Sequence, residues 1–183
     1  MFAAGVLPFA YEPKTGEVLF LLGKERRDFS FSDFGGKAEK MDKTNPIETA
    51  VREFVEETYG LVCQNAFALK NRLQSKNAVL LHSRTLNNHP YYMYVVEIDF
   101  QSHLRCYFKR TVEFLKSKGL LKHVEKVDVG WFSLSDLNGI KKRQVFEKTL
   151  SLHRDFFARL AKCPPSEWKG LVAKNQEIFC EED

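Results

Sequence analysis

Residues 34–61 read FGGKAEKMDKTNPIETAVREFVEETYGL and combine a glycine pair with a strongly acidic helical pattern. Pro46 suits the first turn of a helix, and Asn45 before it is a typical N-cap. Gly60 is a typical residue to close the helix. Apolar residues or threonine recur at spacings of three and four along one side, at Ile47, Ala50, Val51, Phe54 and Thr58. The pattern therefore predicts a helix over residues 46–59.

Glu53, Glu56 and Glu57 share one face of this predicted helix, because they stand at positions i, i+3 and i+4. Three crowded carboxylates repel one another, and a divalent cation would make the arrangement favourable. Hard oxygen ligands select Mg²⁺ or Mn²⁺ over zinc. The alternative is an ordinary solvated acidic face. Such faces usually interleave Lys at i+4, whereas Arg52 is the only cation here and can pair with Glu56.

A glycine pair, Gly35 and Gly36, stands upstream of the acidic helix. Paired glycines allow the backbone to approach a metal or a phosphate closely. Lys37 adds a cation next to them. The glycine pair therefore favours a functional site over a solvated helix face.

Together these residues resemble the Nudix box, whose pattern is G-x5-E-x7-R-E-U-x-E-E-x-G-U with U an aliphatic residue. Gly36 matches the first glycine, residues 52–57 match R-E-U-x-E-E, and residues 60–61 match the closing G-U. The resemblance implies an α/β fold, namely an α/β/α sandwich with a mixed β-sheet. We expect one such domain over residues 1–183. Its core would span residues 1–163 including an added C-terminal helix, followed by a tail over 164–183 whose structure the sequence leaves open.

Three departures from the pattern concern the loop and the helix end. The segment from Gly36 to Arg52 is two residues longer than in the family, and the insertion falls in residues 42–45. Asp42 then takes the place of the family's loop glutamate, whose role is mainly loop support. Tyr59 is one extra residue before Gly60. None of these changes moves the three glutamates relative to one another.

The resemblance implies a hydrolase that cleaves a nucleoside diphosphate linked to another group, with water attacking a phosphorus of the diphosphate. The implied metal ligands for Mg²⁺ or Mn²⁺ are Glu53, Glu56, Glu57 and the main-chain carbonyl of Gly36. Arg52 would orient a glutamate. The general base is open between a box glutamate and a later acid, for which Glu125 is the candidate. A solvated loop glutamate is the alternative for Glu125.

Four basic residues flank the glycine pair and are candidate phosphate ligands: Lys24, Arg26, Arg27 and Lys37. Residues 103–126 and 141–162 each carry a net charge of +5. Such segments can guide an extended polyanion, although the second is also explained as the polar face of a helix. The substrate classes left open are small nucleotide derivatives, the 5′ end of RNA and diphosphoinositol polyphosphates. The basic segments favour a highly charged substrate, either capped RNA or an inositol pyrophosphate.

The rest of the chain predicts alternating strands and helices. Strands are expected at residues 6–10, 18–22, 61–69, 79–84, 91–100 and 127–133, with the first two joined as a hairpin. Helices are expected at residues 106–118 and 143–161, with a helical turn at 135–137. The last residues, 181–183, are expected to fray. Four cysteines lie far apart without a C-x-x-C pair, which favours reduced thiols in an intracellular, cytoplasmic protein, with a nuclear location left open.

The 183 residues carry a formal charge of +4, which hides a basic body around an acidic helix and an acidic end. No apolar run is long enough for a transmembrane helix, so no membrane partner is expected. The oligomeric state is left open. Two rivals to a hydrolase remain, a catalytically inactive Nudix-fold binding or regulatory module and an unrelated acidic helix in a structural protein. All three metal-face glutamates are present, which favours the hydrolase.

Overall fold

A seven-stranded mixed sheet lies at the centre of the molecule. The structure is a computed structural model that describes residues 1–179, with side chains described through residue 175. The strands in chain order are β1 (Ala3–Tyr11), β2 (Val18–Glu25), β3 (Phe31–Ser32), β4 (Phe34–Lys37), β5 (Ala78–Arg84), β6 (Pro90–Glu97) and β7 (Lys126–Phe132). Strand β1 runs parallel to β6 and antiparallel to both β2 and β4. The predicted hairpin of the first two strands is confirmed.

Helices cover both faces of the sheet. They are α1 (Pro46–Glu57), α2 (Ala66–Gln74), α3 (Leu104–Ser117), α4 (Gln144–Leu152), α5 (Arg154–Leu160) and α6 (Trp168–Phe179). One apolar cluster joins the sheet to α1, α2 and α3, and a second joins its other face to α4, α5 and α6. The predicted α/β/α sandwich is therefore confirmed. Each side chain of a strand contributes to one cluster or the other according to the period-two alternation of the strand.

A side-chain cap determines where helix α1 starts, and its apolar side packs against the sheet. The side chain of Asn45 accepts a hydrogen bond from the backbone N–H of Ile47 at 3.0 Å, as the sequence predicted. Val51 and Phe54 are buried, and the Phe54 ring packs edge-on against Phe34 of β4 with centroids 5.4 Å apart. Since the apolar side is buried against the sheet, the acidic side of α1 faces the segment that carries the glycine pair.

Two sequence-based assignments are wrong. The strand predicted at residues 61–69 is absent, because residues 66–74 form α2. Leu69 and Leu73 are buried at a spacing of four, which is a helical period, and Asn65 caps the helix by accepting from the N–H of Ala68. The single helix predicted at residues 143–161 is two helices, α4 and α5, which meet at His153.

Residues 168–179, in the segment whose structure the sequence left open, form helix α6. Helix α6 buries Trp168 and Val172 against the sheet, so part of the expected tail belongs to the core. Residues 180–183 lie outside the described residues, and so does the predicted fraying of 181–183. Cys63, Cys106 and Cys163 are free thiols. Within residues 1–179, every helix is too short or too polar to span a bilayer.

Candidate functional site

The glycine pair lies where two strands and a helix approach one another most closely. In β4, Gly35 is opposite Gly5 of β1, and Gly36 is opposite Ala4. A Cβ atom at Gly35 would lie 2.5 Å from the Cα of Gly5 and 2.7 Å from the carbonyl oxygen of Ala4. Residue 35 must therefore be glycine because neighbouring backbone fills the space of a side chain.

Gly36 meets the acidic face of α1 directly. A Cβ atom at this position would lie 2.6 Å from Oε2 of Glu53. The absence of a side chain lets the Glu53 carboxylate lie against the backbone of β4. The predicted glycine and the first predicted glutamate of the metal face are therefore in contact range.

Arg52 connects the loop acid to two of the glutamates. Its Nε and Nη2 atoms each donate to one oxygen of Asp42 at 3.1 Å, and Nη2 also donates to the carbonyl of Lys37 at 3.0 Å. Its Nη1 atom lies 2.9 Å from Oε1 of Glu53 and 3.1 Å from Oε2 of Glu56. Arg52 therefore contacts the carboxylates of both Glu53 and Glu56.

Asp42 is a buried acid in the loop between β4 and α1. Its side chain is only 3% exposed, and it accepts hydrogen bonds from the N–H of Glu39 and the hydroxyl of Thr49 as well as from Arg52. Burial opposes its charge, but the hydrogen bond from Arg52 and the other donors outweigh burial and hold the pKa of Asp42 below its ordinary value. Asp42 thus ties the loop between β4 and α1 to Arg52 and Thr49.

Glu57 is buried, and both of its carboxylate oxygens contact groups of the protein. Its side chain is 3% exposed, whereas that of Glu56 is 59% exposed. Its Oε2 accepts the backbone N–H of Gly35 at 2.8 Å, and its Oε1 lies 3.3 Å from Nζ of Lys126. Burial raises the pKa of Glu57, against the lowering effect of Lys126. Glu57 therefore anchors the glycine segment to α1.

The acidic groups form one electrostatic cluster. Burial raises the pKa of Glu53, and Arg52 opposes this, while the negative charges of Glu56 and Glu125 add to the increase. Glu125 is exposed, and its carbonyl accepts the N–H of Arg26 at 2.8 Å. The structure thus brings the later acid to the same side of the sheet end as Glu53.

The four predicted basic residues are divided between two faces of the sheet. Lys24 continues the alternation of Phe20 and Leu22, which face α4 to α6, and its Nζ lies over the rings of Phe29 and Phe31. The structure therefore does not bring Lys24 to the glutamates.

Two of the other three basic residues have backbone contacts with residues of the glutamate site: the N–H of Arg26 with Glu125 and the carbonyl of Lys37 with Arg52. Arg26 stands next to Glu125, and its positive charge opposes the increase that burial causes in the pKa of Tyr59. The Nε atom of Arg26 is buried and has no hydrogen-bond partner among the described residues. Arg27 is exposed in the turn after β2, and Lys37 is exposed at the end of β4. Of the three, Arg26 is the one that is hydrogen-bonded to a candidate acid of the site, Glu125.

Lys126 belongs to the site although the sequence did not indicate it. The alternation of side chains along β7 predicts that Lys126 lies on the same face of the sheet as Asp128. However, the register between β7 and β2 shifts between Lys24 and Glu25 of β2. Lys24 is opposite Asp128, and Glu25 is opposite Lys126, so Val127 is an extra residue at a β-bulge. The bulge turns Lys126 into the interior, where it is fully buried. A bulge leaves no reliable mark on the sequence, so this inward turn was not predictable.

The donor set around Gly36 fits a hard divalent cation in its chemistry. Glu53 and Glu56 supply carboxylate oxygens on one face of α1, and Gly36 has no side chain to shield its carbonyl. Mg²⁺ and Mn²⁺ prefer such oxygens. Among residues 1–179, no three acidic, histidine or cysteine side chains already stand in a metal-binding arrangement. Binding would draw Glu53 and Glu56 from Arg52 towards the cation.

Solved structures with the same architecture identify the fold. The C. elegans Ap4A hydrolase in a binary complex aligns with a TM-score of 0.53 at 16% identity, covering 87% of this chain and 98% of that one. The NUDIX domain of Shewanella oneidensis NrtR, complexed with ADP ribose, aligns with a TM-score of 0.51 at 15% identity, covering 87% and 88%. The chain has the Nudix fold.

A third solved structure with this Nudix architecture is the C-terminal domain of mouse MUTYH in complex with human PCNA. It aligns with a TM-score of 0.52 at 10% identity, covering 84% of this chain and 87% of that one. No family model matches the chain, and no curated protein matches it. At these identities the comparisons establish the fold. Residues 36–61, which resemble the Nudix box, run from β4 to the turn after α1.

Proposed function

We propose that this Nudix-fold protein is a Mg²⁺- or Mn²⁺-dependent hydrolase that cleaves a phosphate anhydride in a nucleoside diphosphate linked to another group. The observation that carries the proposal is the arrangement between β4 and α1. There the backbone of Gly36 lies against Glu53, and Arg52 holds Glu53 and Glu56 from a fixed position on Asp42. This arrangement presents oxygen ligands at one solvent-facing spot.

Each residue of the site has a separate task in this proposal. Glu53, Glu56 and the carbonyl of Gly36 would hold the cation, which when bound neutralises phosphate charge and favours attack by water. Arg52 orients the two carboxylates. Arg26 and Lys37 contact phosphates, and Glu125 takes the proton of the attacking water. Glu125 is exposed, and its negative charge contributes to the raised pKa of Glu53, which supports this assignment.

Hydrolysis and its dependence on Glu56 test the proposal. The protein is incubated with Mg²⁺ or Mn²⁺ and nucleoside triphosphates, ADP-ribose, NADH, dinucleoside polyphosphates, capped RNA and inositol pyrophosphates. We expect at least one compound to be cleaved and Glu56→Gln to lower kcat/KM by at least about 100-fold, since even indirect supports of a metal site cost 10- to 100-fold. Asp155→Asn on α5, an exposed acid on the other face of the sheet, is the matched control. No cleavage of any compound, or an unimpaired Glu56→Gln, contradicts the hydrolase.

The substrate is proposed to be highly charged, either capped RNA or a diphosphoinositol polyphosphate. Helix α3 packs against β7, which begins directly after Glu125, so its basic surface adjoins the site. Tyr107 and Phe114 are exposed on this helix, and Nζ of Lys118 lies over the Phe114 ring. Exposed aromatic rings beside cations suit stacked bases and a phosphate backbone.

Salt dependence distinguishes RNA from the other substrates. Affinity for capped RNA should fall linearly on logarithmic axes as salt rises, and a double variant Lys116→Gln with Lys118→Gln should reduce that slope. Lys174→Gln on α6 is the control, since α6 covers the other face of the sheet. A flat salt response counts against RNA. A cytoplasmic location, with reduced cysteines, belongs to the same proposal.

A second candidate is a binding or regulatory module without hydrolysis. The observation that favours it is Glu57, both of whose carboxylate oxygens already have partners within the protein, Gly35 and Lys126. The NrtR domain with bound ADP ribose shows that a protein of this fold can hold such a ligand. Tight binding of ADP-ribose without any turnover in the panel would favour this candidate.

A further inference from the structure

A fully buried lysine lies beside Glu57, and four oxygen atoms surround its ammonium group. Nζ of Lys126 lies 2.7 Å from Oε1 of Glu25, 2.7 Å from the hydroxyl of Ser32, 3.2 Å from the carbonyl of Asp33 and 3.3 Å from Oε1 of Glu57. We call these four oxygens the lysine cage. An all-oxygen set with two carboxylates is what a hard cation takes in a protein.

The fold makes room for this side chain. A Cβ atom at Gly23 would lie 2.9 Å from Cδ of Lys126 and 3.0 Å from the Phe34 ring, so glycine is required for the lysine stem to pass. Nζ lies 5.8 Å from the centroid of Phe34. The β-bulge of β7 at Val127 turns the residue inward. Three separate features of the fold thus serve one buried ammonium.

Charge balance explains why a cation is needed at this place. Glu25 and Glu57 are both shielded from solvent, with side chains 15% and 3% exposed. Two such carboxylates without a counter-ion would be strongly unfavourable. Lys126 supplies one positive charge, and Arg143 adds another at 3.2 Å from Oε1 of Glu25. The covalently attached ammonium supplies the charge that a bound ion would otherwise supply.

We propose that Lys126 is a built-in cation that takes the place of a divalent ion at Glu57. Glu57 is then a positioning residue, which holds the Gly35 N–H and with it the Gly36 segment. Divalent cations bind only to the outer carboxylates, Glu53 and Glu56, with the carbonyl of Gly36. The role of the outer carboxylates rests on the proposed function, whereas the role of Lys126 concerns cation binding and is measurable without turnover.

Removing the ammonium should open a new divalent site between Glu25 and Glu57. The test counts bound Mn²⁺ by electron paramagnetic resonance in the full chain, its Lys126→Met variant and the Lys126→Met, Glu57→Gln double variant. We expect Lys126→Met to bind one more Mn²⁺ than the natural protein and the double variant to lose it again. Lys142→Met is the matched control, because Lys142 is another largely buried lysine, bonded to the carbonyl of Leu137. A folded Lys126→Met protein with an unchanged count overturns the proposal.

A second comparison decides the matter if Lys126→Met does not fold. In the natural background, Glu56→Gln should weaken Mn²⁺ binding about 10- to 100-fold. Glu57→Gln should leave the Kd nearly unchanged, because the amide that replaces the carboxylate keeps an oxygen for the Gly35 N–H. Loss of Mn²⁺ binding in a folded Glu57→Gln protein as large as in Glu56→Gln overturns the proposal. The expected Mn²⁺ counts with no turnover on any substrate would refute the hydrolase and leave the Lys126 assignment standing.

Discussion

Arg52 binds both oxygens of Asp42 through two parallel hydrogen bonds, Nε to Oδ1 and Nη2 to Oδ2, each 3.1 Å long. The side chains are 13% and 3% exposed, so this paired contact is largely removed from water. The third nitrogen of the guanidinium remains for Glu53 and Glu56. The contact between Arg52 and Asp42 therefore fixes the carboxylates of Glu53 and Glu56 relative to the loop before α1.

Asp42→Asn should destabilise the fold and impair the site together. Losing one partner of a largely buried ion pair costs about 3 kcal/mol in the free energy of unfolding, and loss of an orienting group lowers activity about 10- to 100-fold. Urea unfolding and kcat/KM measure the two effects. Thr49→Val removes only the hydroxyl that donates to Asp42 at 2.9 Å and should cost about 1 kcal/mol. Equal costs for both variants would show that Arg52 contributes nothing at Asp42.

The pH dependence of this pair has a definite sign. Burial opposes the charge of Asp42, but Arg52 and the backbone donor outweigh it, so the pKa of the folded state is lowered. A lowered pKa gives stability that is present above the ordinary carboxyl pKa and is lost as the pH falls through the lowered value. The difference in stability between the natural protein and Asp42→Asn should therefore shrink in acid.

Gly36→Ala should lower activity while the fold survives. The added Cβ would meet the end of the Glu53 side chain, which can move, at 2.6 Å from Oε2. Misplacing such a group by about 1 Å can cost about 100-fold in rate. Gly35→Ala is different because its Cβ would meet the backbone of Gly5, and we expect it to unfold the protein or shift β4.

The control for the glycine comparison is Gly170→Ala. Gly170 lies in α6 with no heavy atom near an added Cβ, so this change should stabilise the helix by up to about 1 kcal/mol. Thermal unfolding and kcat/KM are measured for all three variants. An active Gly36→Ala protein would remove the reason for placing the cation against β4.

Asp33→Asn should change how stability depends on pH. Burial raises the pKa of Asp33 to about 6, while the hydrogen bond from Tyr91 opposes the increase. A raised carboxyl pKa gives stability that is fully present below the unfolded-state pKa and is lost as the pH rises through about 6. The loss approaches about 3 kcal/mol, since one pKa unit corresponds to about 1.4 kcal/mol.

The measurement is the stability difference between Asp33→Asn and the natural protein from pH 4 to pH 7.5. The amide of the variant is uncharged at every pH. The free energy of unfolding of the variant should therefore increase relative to that of the natural protein as the pH rises. Asp155→Asn, an exposed position on α5, should show no such trend. A difference that stays constant across this pH range would mean that Asp33 does not titrate there.

Tyr59→Phe should cost about 1 kcal/mol of stability without abolishing activity. The hydroxyl of Tyr59 donates to the carbonyl of Lys126 at 2.9 Å, and its ring packs on Phe108 with centroids 5.0 Å apart. Tyr59 and Gly60 both have positive φ, 55° and 68°, so the extra residue completes the turn after α1. Tyr107→Phe is the control, since that tyrosine is 55% exposed. Urea unfolding distinguishes the two.

Much of the fold could be predicted because each prediction relied on a local pattern. Pro46 and Asn45 mark the start of α1, and the strands β1, β2, β5, β6 and β7 follow apolar runs. The failures have local reasons too. Residues 61–69 are apolar enough to resemble a strand, and only the packing of Leu69 and Leu73 against the sheet selects a helix from residue 66 onward. The break at His153 follows from the packing of two short helices and has no glycine or proline to mark it.

The sequence by itself determined the chemical identity of the site. The spacing of Glu53 and Glu56 fixes them on one helix face, and Gly36 is required wherever the backbone approaches a carboxylate, because these are properties of local geometry. The i, i+4 spacing also indicated the pair of Arg52 with Glu56, but only the tertiary structure decided the ion pairs between distant segments. Asp42 reaches Arg52 from ten residues away, and Lys126 reaches Glu57 across a β-bulge. Such contacts depend on register and burial, which no local pattern encodes, and they determine which glutamate is available to a cation.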